Sequence, residues 1–369
     1  MNEDVRRYNV SDRQTDRQTD RQTDRQTDRQ TDRRNYNLDL LRIMACIAVI
    51  GLHTSSKDVS VLNTLMYYFC GFAVPLFFMA SGYILMQRTE ITKSYVRKKY
   101  KQIFSVILSW GIIGSLIVLI YGVVHNHAPY VIVYDVIKIC IGGVLQKGWY
   151  WQFWFFGAIL LVYAITPFIS GLTIKQKTII WVLCFCCGEL LQLFSIYVGS
   201  PLQKNIIQTF RIWSWVQYFL LGGFMHEMQK YFLTVKSYIH MLIMIFWTIA
   251  LLTYEFYMGV YILNGNIEGA QYAEFFYDSC FEVIWLILIF SFFMKVNLSQ
   301  KAKKYVSIFT PFVMGIYIVH PLILWIINHF WRVEVPMDAL YLFLGVLFVT
   351  LNVVVFMIKI PYLNKLIRL

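Results

Sequence analysis

Apolar segments separated by short polar loops follow one another along the chain from residue 38 to residue 360. A helix needs about twenty apolar residues to cross the hydrocarbon core of a bilayer, and segments of roughly that length recur here. The pattern predicts an all-α polytopic membrane protein with about ten transmembrane helices. We place them at residues 38–56, 62–87, 102–124, 150–170, 178–199, 211–228, 238–258, 278–295, 306–329 and 338–360.

The stretch 125–149 is too short and too interrupted to be a clear membrane span. Irregular backbone at membrane depth is tolerated where protein buries it or where it lines a cavity. We therefore expect an extracytoplasmic or re-entrant element that caps a cavity. His125 and His127 lie in this stretch, but two imidazoles without a third ligand favour a solvated loop over a metal site.

Composition supports the membrane class. Hydrophobic residues make up 58% of the 369 residues and charged residues 15%, and a soluble domain could not bury that much apolar surface. The net charge of +12 then reflects loop orientation and not nucleic-acid binding. The cysteines lie almost wholly within apolar segments, which predicts small buried hydrophobes and no disulfide framework. They are residues 46, 70, 140, 184, 186, 187 and 280.

Lysine and arginine concentrate in alternate loops. They are frequent between the second and third segments, in residues 88–101, and recur after the fourth, sixth and eighth segments and at the C-terminus. The loops between these carry few bases, and residues 259–277 carry none. Because basic loops stay on the cytoplasmic side, both termini are predicted to be cytoplasmic.

Residues 1–34 are polar and contain five copies of Asp-Arg-Gln-Thr between Asp12 and Thr31. The segment has no apolar core of a signal peptide, and we expect a disordered cytoplasmic tail before a membrane domain at 35–369. A GACA repeat translated in triplets (GAC AGA CAG ACA) encodes Asp-Arg-Gln-Thr. Such a tract slips during replication, so our hypothesis is phase-variable expression, which suits enzymes that alter surface antigens.

The first segment carries ionisable residues on one face. Each helical residue advances about 100°, so the eleven steps from Arg42 to His53 return to within about 20° of one azimuth, about 16 Å further along the helix. Asp39 and Cys46 fall near the same line. Polar groups at such depth usually face a bundle interior or a wet cavity. The alternative is that Asp39 and Arg42 are only flanking charges at the membrane interface.

Other polar residues leave their roles open. Glu189, Glu255 and Glu282 lie within or near membrane segments, and any one of them could orient His53. The Trp and Tyr residues at 149–154 fit an interfacial aromatic belt, with a sugar-stacking surface as the alternative.

Four motifs stand out beyond hydropathy: LDLLR at 38–42 with His53, VPLFFMASGY at 74–83, WQFWFFGAILLVYAITP at 151–167 and GIYIVHPL at 315–322. In this order and spacing they resemble the membrane acyltransferase 3 family, which includes bacterial O-acetyltransferases of surface glycans. The resemblance extends from about residue 35 to the C-terminus. It implies a ten-helix bundle that moves an acyl group, usually acetyl from acetyl-CoA, onto a carbohydrate hydroxyl.

The resemblance also implies roles for individual residues. The family's first-helix histidine falls on His53 and its Asp–Arg pair on Asp39 and Arg42, which we take as catalytic. Its F-F-x-x-S-G-Y and His-Pro motifs and its basic motif at the third helix imply substrate contacts. The matching residues in this chain are Ser81, Tyr83, His320, Lys98 and Lys101, and Arg97 lies one position away from the basic motif. Gln152 occupies a position where many relatives have histidine.

Chemistry gives these positions a rationale. A base must remove the hydroxyl proton as the oxygen attacks the thioester, and imidazole, with a pKa near about 6.5, suits that task at His53. Arg42 and the 97–101 cluster are predicted to hold CoA phosphates, although cytoplasmic loops are often basic without binding anything. His320 could orient the acceptor or cap a helix break before Pro321, whereas Ser81 and Gly82 suit close helix packing.

The sequence thus predicts a membrane O-acyltransferase that modifies lipopolysaccharide, capsule or another envelope glycan. Its partners would be acetyl-CoA as co-substrate, a glycan or lipid-linked sugar acceptor and membrane lipid, with no permanently bound cofactor and no metal. We expect no appended domain after the tenth segment, so the reaction would occur within the bundle. The alternative from another class is an exporter of a surface polysaccharide or its precursor.

Overall fold

A computed structural model describes residues 34–55, 60–88, 90–263, 270–330 and 335–367, and these residues contain helices and turns but no strand. Contacts divide the chain into a short N-terminal unit, Met1–Tyr36, and a helical unit, Asn37–Leu369. The expected disordered tail and its repeats lie outside the described residues, save Arg34. The helical unit contains every candidate site residue.

The helices are numbered here in chain order. They are α1 Tyr36–Thr54, α2 Val61–Phe69, α3 Ala73–Leu85, α4 Lys93–Val124, α5 Pro129–Gly142, α6 Trp154–Ser170, α7 Ile174–Val198, α8 Ile212–Glu227, α9 Gln229–Thr234, α10 Ser237–Phe256, α11 Cys280–Lys295, α12 Gln300–Phe309, α13 Val313–Phe330, α14 Pro336–Lys359 and α15 Pro361–Asn364. Tight turns join several of them: Cys70–Phe72 links α2 to α3, Trp151–Phe153 leads into α6, and Thr310–Phe312 links α12 to α13.

A helix is found at each of the ten predicted membrane segments, but only eight helices in the described ranges are long and apolar enough to cross a membrane. The other two, α8 and α11, have 16 residues each, which is short of the roughly twenty that a span needs. Eleven of the 16 residues of α8 are buried. The prediction of an all-α polytopic membrane protein is confirmed, and the two 16-residue helices α8 and α11 lie at the sixth and eighth predicted segments.

Hydroxyl side chains start many of these helices. Ser60, Thr92, Ser279 and Ser299 each accept a hydrogen bond from the backbone N–H three residues later. Thr173 does the same at α7. Such caps satisfy N–H groups that have no intrahelical partner, so the polar residues between apolar runs fix where each helix begins.

The closest helix crossing joins α3 to α8. A Cβ added to Gly82 would lie 1.7 Å from the carbonyl oxygen of Phe219, and one added to Gly222 would lie 1.9 Å from that of Met79. Phe78 stacks on Trp215 beside this crossing, with ring centroids 4.6 Å apart. The expected role of Gly82 in close helix packing is confirmed, and this crossing fixes the centre of the bundle.

The non-spanning stretch after α4 forms the helix α5 of 14 residues. It packs on α4 where Gly122 meets Ile132, since a Cβ on Gly122 would lie 2.6 Å from the Ile132 side chain. His125 and His127 are exposed in the preceding turn. Within the described part of the chain, no three His, Cys, Asp or Glu side chains lie close enough to hold a metal ion.

The described cysteines are free thiols, and Cys46 and Cys70 are buried as expected. Cys186 and Cys187 are instead exposed on the outer face of α7. The prediction of buried cysteines was wrong for these two, because α7 presents most of its residues outward and only three of them are buried.

Candidate active site

His53 lies in the last turn of α1 with its ring half-buried. The edge of Trp151 meets the imidazole at a centroid distance of 4.7 Å and an interplanar angle of 89°. On another side the ring of His320 stacks on it at 5.3 Å and 13°. Two aromatic neighbours therefore fix the plane of the His53 ring.

His320 is fully buried in α13. Its Nδ1 lies 3.0 Å from the carbonyl oxygen of Ile316, and since a carbonyl only accepts, Nδ1 must carry the hydrogen. Nε2 is then the acceptor nitrogen, and it has no hydrogen-bond partner within the described residues. α13 continues through Pro321, so His320 caps no helix break; it fixes its own tautomer against the preceding turn.

The turn Trp151–Phe153, which carries Trp151, is hydrogen-bonded to α13, which carries His320. The hydroxyl of Tyr317 donates to the carbonyl oxygen of Gln152 at 2.5 Å, and the Gln152 side-chain amide donates to the carbonyl of Ile318 at 3.4 Å. Both bonds attach this turn to α13. The side-chain oxygen of Gln152 is buried and has no partner in the described structure.

His53 lines a cavity of about 510 Å³, which we call the histidine cavity. Aromatic rings and side-chain amides make up much of its wall. Its lining includes Val49, His53, Tyr67, Val74, Gln146, Trp151, Gln152, Trp154, Gln208, Tyr272, Glu274, Tyr277 and Tyr317. The size suits a small-molecule ligand or one unit of a larger one.

Arg42 lines a second cavity, of about 600 Å³, which we call the arginine cavity. Lys99 also lines it, so two cations face this space. The rest of its lining includes Phe77, Ser81, Ile103, Phe155, Phe156, Tyr163, Val313 and Met314. Asp39 approaches Arg42 to 3.9 Å, which supports the structural role of Asp39 as its ion-pair partner.

The two cavities share four helices but no lining residue. An aromatic layer of Phe155, Phe156 and Tyr317 separates them, with Tyr317 5.5 Å from Phe155 and 5.7 Å from Phe156 between ring centroids. Arg42 and His53 lie on opposite sides of this layer, about 16 Å apart along α1. The polar face predicted for the first helix therefore borders two separate spaces.

The remaining predicted substrate residues fall into three groups. Ser81 lines the arginine cavity, where its hydroxyl donates to the carbonyl of Phe77 at 2.9 Å. Arg97, Lys98 and Lys101 are exposed on α4 outside the lining of either cavity. Tyr83 lies in neither cavity, because its hydroxyl donates to Gln229 at 2.9 Å and ties α3 to α9.

The three membrane carboxylates do not reach His53. Glu189 accepts a hydrogen bond from the backbone N–H of Cys280, and Glu255 on α10 and Glu282 on α11 are buried close to each other. Among the described residues, no ion pair joins any of them to His53. The hypothesis that one of the three orients His53 has no support in these contacts.

Sequence reasoning did not single out Glu274, Gln208 or Gln146, and it included Lys99 only as one member of the basic 97–101 cluster. Lys99 belongs to the basic cluster but shares a helix face with Ile103, which lies one turn on and lines the same cavity. The other three come from loops, where no periodic pattern indicates which way a side chain points. The loop 259–277, which contains Glu274, had supported the predicted topology only through its lack of basic residues.

Glu274 is held in place by Arg211. The Arg211 guanidinium donates to the backbone carbonyls of Ile206, Gln203 and Glu274 at 3.1, 2.8 and 3.0 Å, and its Nη2 lies 3.7 Å from the Glu274 carboxylate. Burial raises the pKa of the Glu274 carboxyl above its usual value, while Arg211 and then Gln146 act in the opposite direction.

The fold is that of a polytopic membrane protein with two cavities, one lined by His53 and the other by Arg42 and Lys99. A family profile described as an acyltransferase domain matches residues 35–358, nearly the whole chain. The chain belongs to the membrane acyltransferase 3 family and is a membrane acyltransferase. No curated protein and no solved structure matches it significantly.

Proposed function

We propose that this protein transfers acetyl from acetyl-CoA to a hydroxyl of a cell-envelope glycan, lipopolysaccharide or capsule, in a bacterial inner membrane with both termini cytoplasmic. One observation carries the proposal: α1 presents Arg42 to a cavity with two cations and His53 to a separate aromatic cavity. A two-substrate transfer can use this arrangement, with the donor in one cavity, the acceptor in the other and a layer of aromatic side chains between them.

The arginine cavity is the proposed donor site. CoA carries phosphates, which arginine can bind through two parallel N–H bonds and lysine can bind as a point charge. Arg42 and Lys99 supply one of each. The separation of about 16 Å between Arg42 and His53 along the helix is comparable to an extended pantetheine arm. The thioester would then lie near the aromatic layer, within reach of the histidine cavity.

His53 is the proposed general base. The sugar oxygen attacks the thioester carbonyl while His53 removes the hydroxyl proton, and the tetrahedral intermediate then expels the CoA sulfur. The C–S bond breaks, the proton passes from the imidazolium to the departing thiolate, and the products are the acetyl ester and free CoA. A positioned base of this kind contributes about a hundredfold or more to rate.

His320 and Trp151 are the proposed positioning residues. Neither needs to contact the substrate, because both act on the plane of the His53 ring. A ring held in one plane presents its basic nitrogen in one direction. The His53 side chain therefore does not have to change rotamer before it accepts the proton of a bound hydroxyl. Asp39 would act indirectly, by holding the Arg42 side chain in place through their ion pair.

The experiment that tests the function is mass spectrometry of surface glycans from strains with and without the gene. The enzyme predicts loss of one acetyl increment per modified unit with the amount of glycan unchanged. An exporter predicts loss of the glycan itself. The aromatic layer between the cavities favours the enzyme, because a transported glycan would need a continuous path between them.

We also propose that slippage in the repeat tract switches expression on and off. The tract encodes five copies of Asp-Arg-Gln-Thr. A repeated four-base unit gives this same repeating order of residues in each of the three reading frames. Sequencing the tract in many clones should show repeat numbers that differ by single four-base units. A fixed number, or codons that break the four-base period, would contradict this proposal.

A further inference from the structure

Three loops meet on the wall of the histidine cavity. Gln146 follows α5, Gln208 lies in the turn Gln208–Phe210 before α8, and Glu274 lies in the turn Ala273–Phe275 before α11. Residues so far apart in sequence reach one cavity only because the loops pack against each other. Their chemistry is also uniform, since each carries a planar amide or carboxylate.

Hydrogen bonds among these three residues hold them together. The backbone N–H of Gln208 donates to the side-chain oxygen of Gln146 at 3.3 Å, and the Gln208 amide nitrogen donates to the Glu274 carboxylate. Gln208 therefore has its amide orientation set by a charged acceptor. That orientation leaves its Oε1 buried and without a partner among the described residues.

The loop that carries Glu274 is secured from two sides. Arg211 binds its backbone carbonyl and lies beside its carboxylate, and the hydroxyl of Tyr67 on α2 accepts a hydrogen bond from the backbone N–H of Ala273 at 3.2 Å. The Glu274 side chain still keeps 23% of its surface accessible, and it lines the cavity. A pre-positioned carboxylate therefore faces the space that His53 also faces.

The atoms that this wall offers to a ligand are hydrogen-bond acceptors. Buried Gln208 Oε1 and Gln152 Oε1 have no donor within the described structure, and an ionised Glu274 accepts only. Buried polar atoms usually have partners, and both glutamines line the cavity, so a small rotation of either amide would let its oxygen accept a hydrogen bond from a ligand. Trp151, Trp154 and Tyr277 add aromatic surface to the same cavity. A polyol with hydroxyl donors and an apolar ring face matches both features.

We propose that Glu274, Gln208 and Gln146 form a subsite that binds the non-reacting hydroxyls of the acceptor sugar and so determines which hydroxyl faces His53. This inference rests on the proposed function and specifies the acceptor half of it. Glu274 and Gln208 bind neighbouring hydroxyls, and Gln146 holds both in register. None of the three touches the reacting atoms, so the subsite acts on acceptor affinity and choice of hydroxyl.

The test uses the full-length protein reconstituted in lipid, with acetyl-CoA and the oligosaccharide released from the surface glycan of the deletion strain. Glu274→Gln and Gln208→Met remove the charge and the free acceptor while keeping side-chain size. Each should raise the acceptor KM by about tenfold, as expected for loss of a hydrogen bond between a buried group and a ligand. The acetyl-CoA KM and kcat should stay within about twofold. Glu227→Gln, at an exposed carboxylate on α8 that lines neither cavity, is the matched control.

Binding of the same oligosaccharide without acetyl-CoA, measured by ligand-observed NMR, separates this proposal from the function. If wild-type protein transfers no acetyl but binds the sugar and both variants lose binding, the function fails and the subsite stands. If transfer occurs and both variants keep the wild-type acceptor KM, the function stands and the subsite is overturned. Equal increases in the KM of both substrates, or a wild-type protein that neither binds nor acetylates the sugar, also overturn the subsite.

Discussion

The imidazole rings of His53 and His320 lie face to face, 5.3 Å apart and 13° from parallel, although 267 positions separate them in sequence. Their environments differ. His53 lines a cavity, whereas His320 is fully buried and bonded through Nδ1 to its own helix. The contact supports the proposed roles, in which His53 reacts because it lines the cavity and His320 holds the His53 ring in position.

Replacement of His53 by alanine should reduce acetyl transfer by about a hundredfold or more, because His53 is the only imidazole among the described lining residues of the histidine cavity. The measurement is the rate of acetyl transfer to glycan by protein whose yield and membrane insertion match wild type. His127→Ala, which changes an exposed imidazole in the turn before α5, should leave the rate unchanged. A His53→Ala rate near wild type would remove His53 as the base.

His320 should tolerate one aromatic replacement better than loss of the ring. We expect His320→Phe to keep kcat within about threefold of wild type and His320→Ala to lower it about tenfold, since an aromatic pair contributes roughly 0.5–1.5 kcal/mol. The acetyl-CoA KM should not change in either. His329→Ala, at an exposed histidine of the same helix, is the control. Equal loss in the phenylalanine and alanine variants would instead assign a chemical role to the His320 nitrogen.

Lys99 should matter more for the donor than its neighbours in the basic cluster. Lys99→Gln is expected to raise the acetyl-CoA KM about tenfold, because it removes a charge-assisted contact to phosphate. Lys98→Gln removes the same charge from an exposed position one residue away. Its effect should be smaller, and steady-state kinetics at constant acceptor compares the two. Equal shifts would mean that only the general positive field of the loop attracts CoA.

Acceptor affinity should fall in acid because of Glu274. Burial raises the pKa of this carboxyl, so the carboxylate is lost at a less acidic pH than that of an ordinary glutamate. The acceptor KM of wild type should therefore rise as the pH falls through the raised pKa. Glu274→Gln should show a higher KM that stays level across the same range. A parallel rise in both proteins would assign the titration to another group.

The crossing of α3 and α8 should not accept a methyl group. Gly82→Ala places a carbon against the Phe219 carbonyl and should destabilise the protein by about 3 kcal/mol or more, since the helices must separate. The midpoint of thermal unfolding in detergent measures this. Gly345→Ala is the matched control, because a Cβ there meets nothing within 4 Å. Similar midpoints for the two variants would show that the crossing adjusts without cost.

The hydrophobic pattern predicted where the helices lie because segment length and polar caps are local properties of the chain. It did not predict that α8 is buried along most of its length, since a buried apolar helix and a membrane span have the same composition. The shared face of Arg42 and His53 followed from helical geometry alone. That the two residues border separate cavities did not, because the aromatic layer is built by α6 and α13.

The subsite proposed for the acceptor sugar could not be predicted from the sequence, for a different reason. Gln146, Gln208 and Glu274 occupy three loops, and only tertiary packing places them together. Lys99 lines the arginine cavity whereas Lys98 and Lys101 do not, and this difference depends on the rotation of α4 about its axis. Successive side chains of a helix point about 100° apart. Sequence indicates which residues are present on such a helix, but its neighbours decide which of them face inward.

The aromatic layer also affects how many ions would leak across the membrane during catalysis. A passage wide enough for a sugar would conduct ions and dissipate the proton gradient that the bilayer maintains. In the proposed reaction, only a thin pantetheine arm passes Phe155, Phe156 and Tyr317, which lie between the two cavities. The proposed reaction can therefore modify a glycan on one side with an activated acyl group from the other while the electrical resistance of the membrane is preserved.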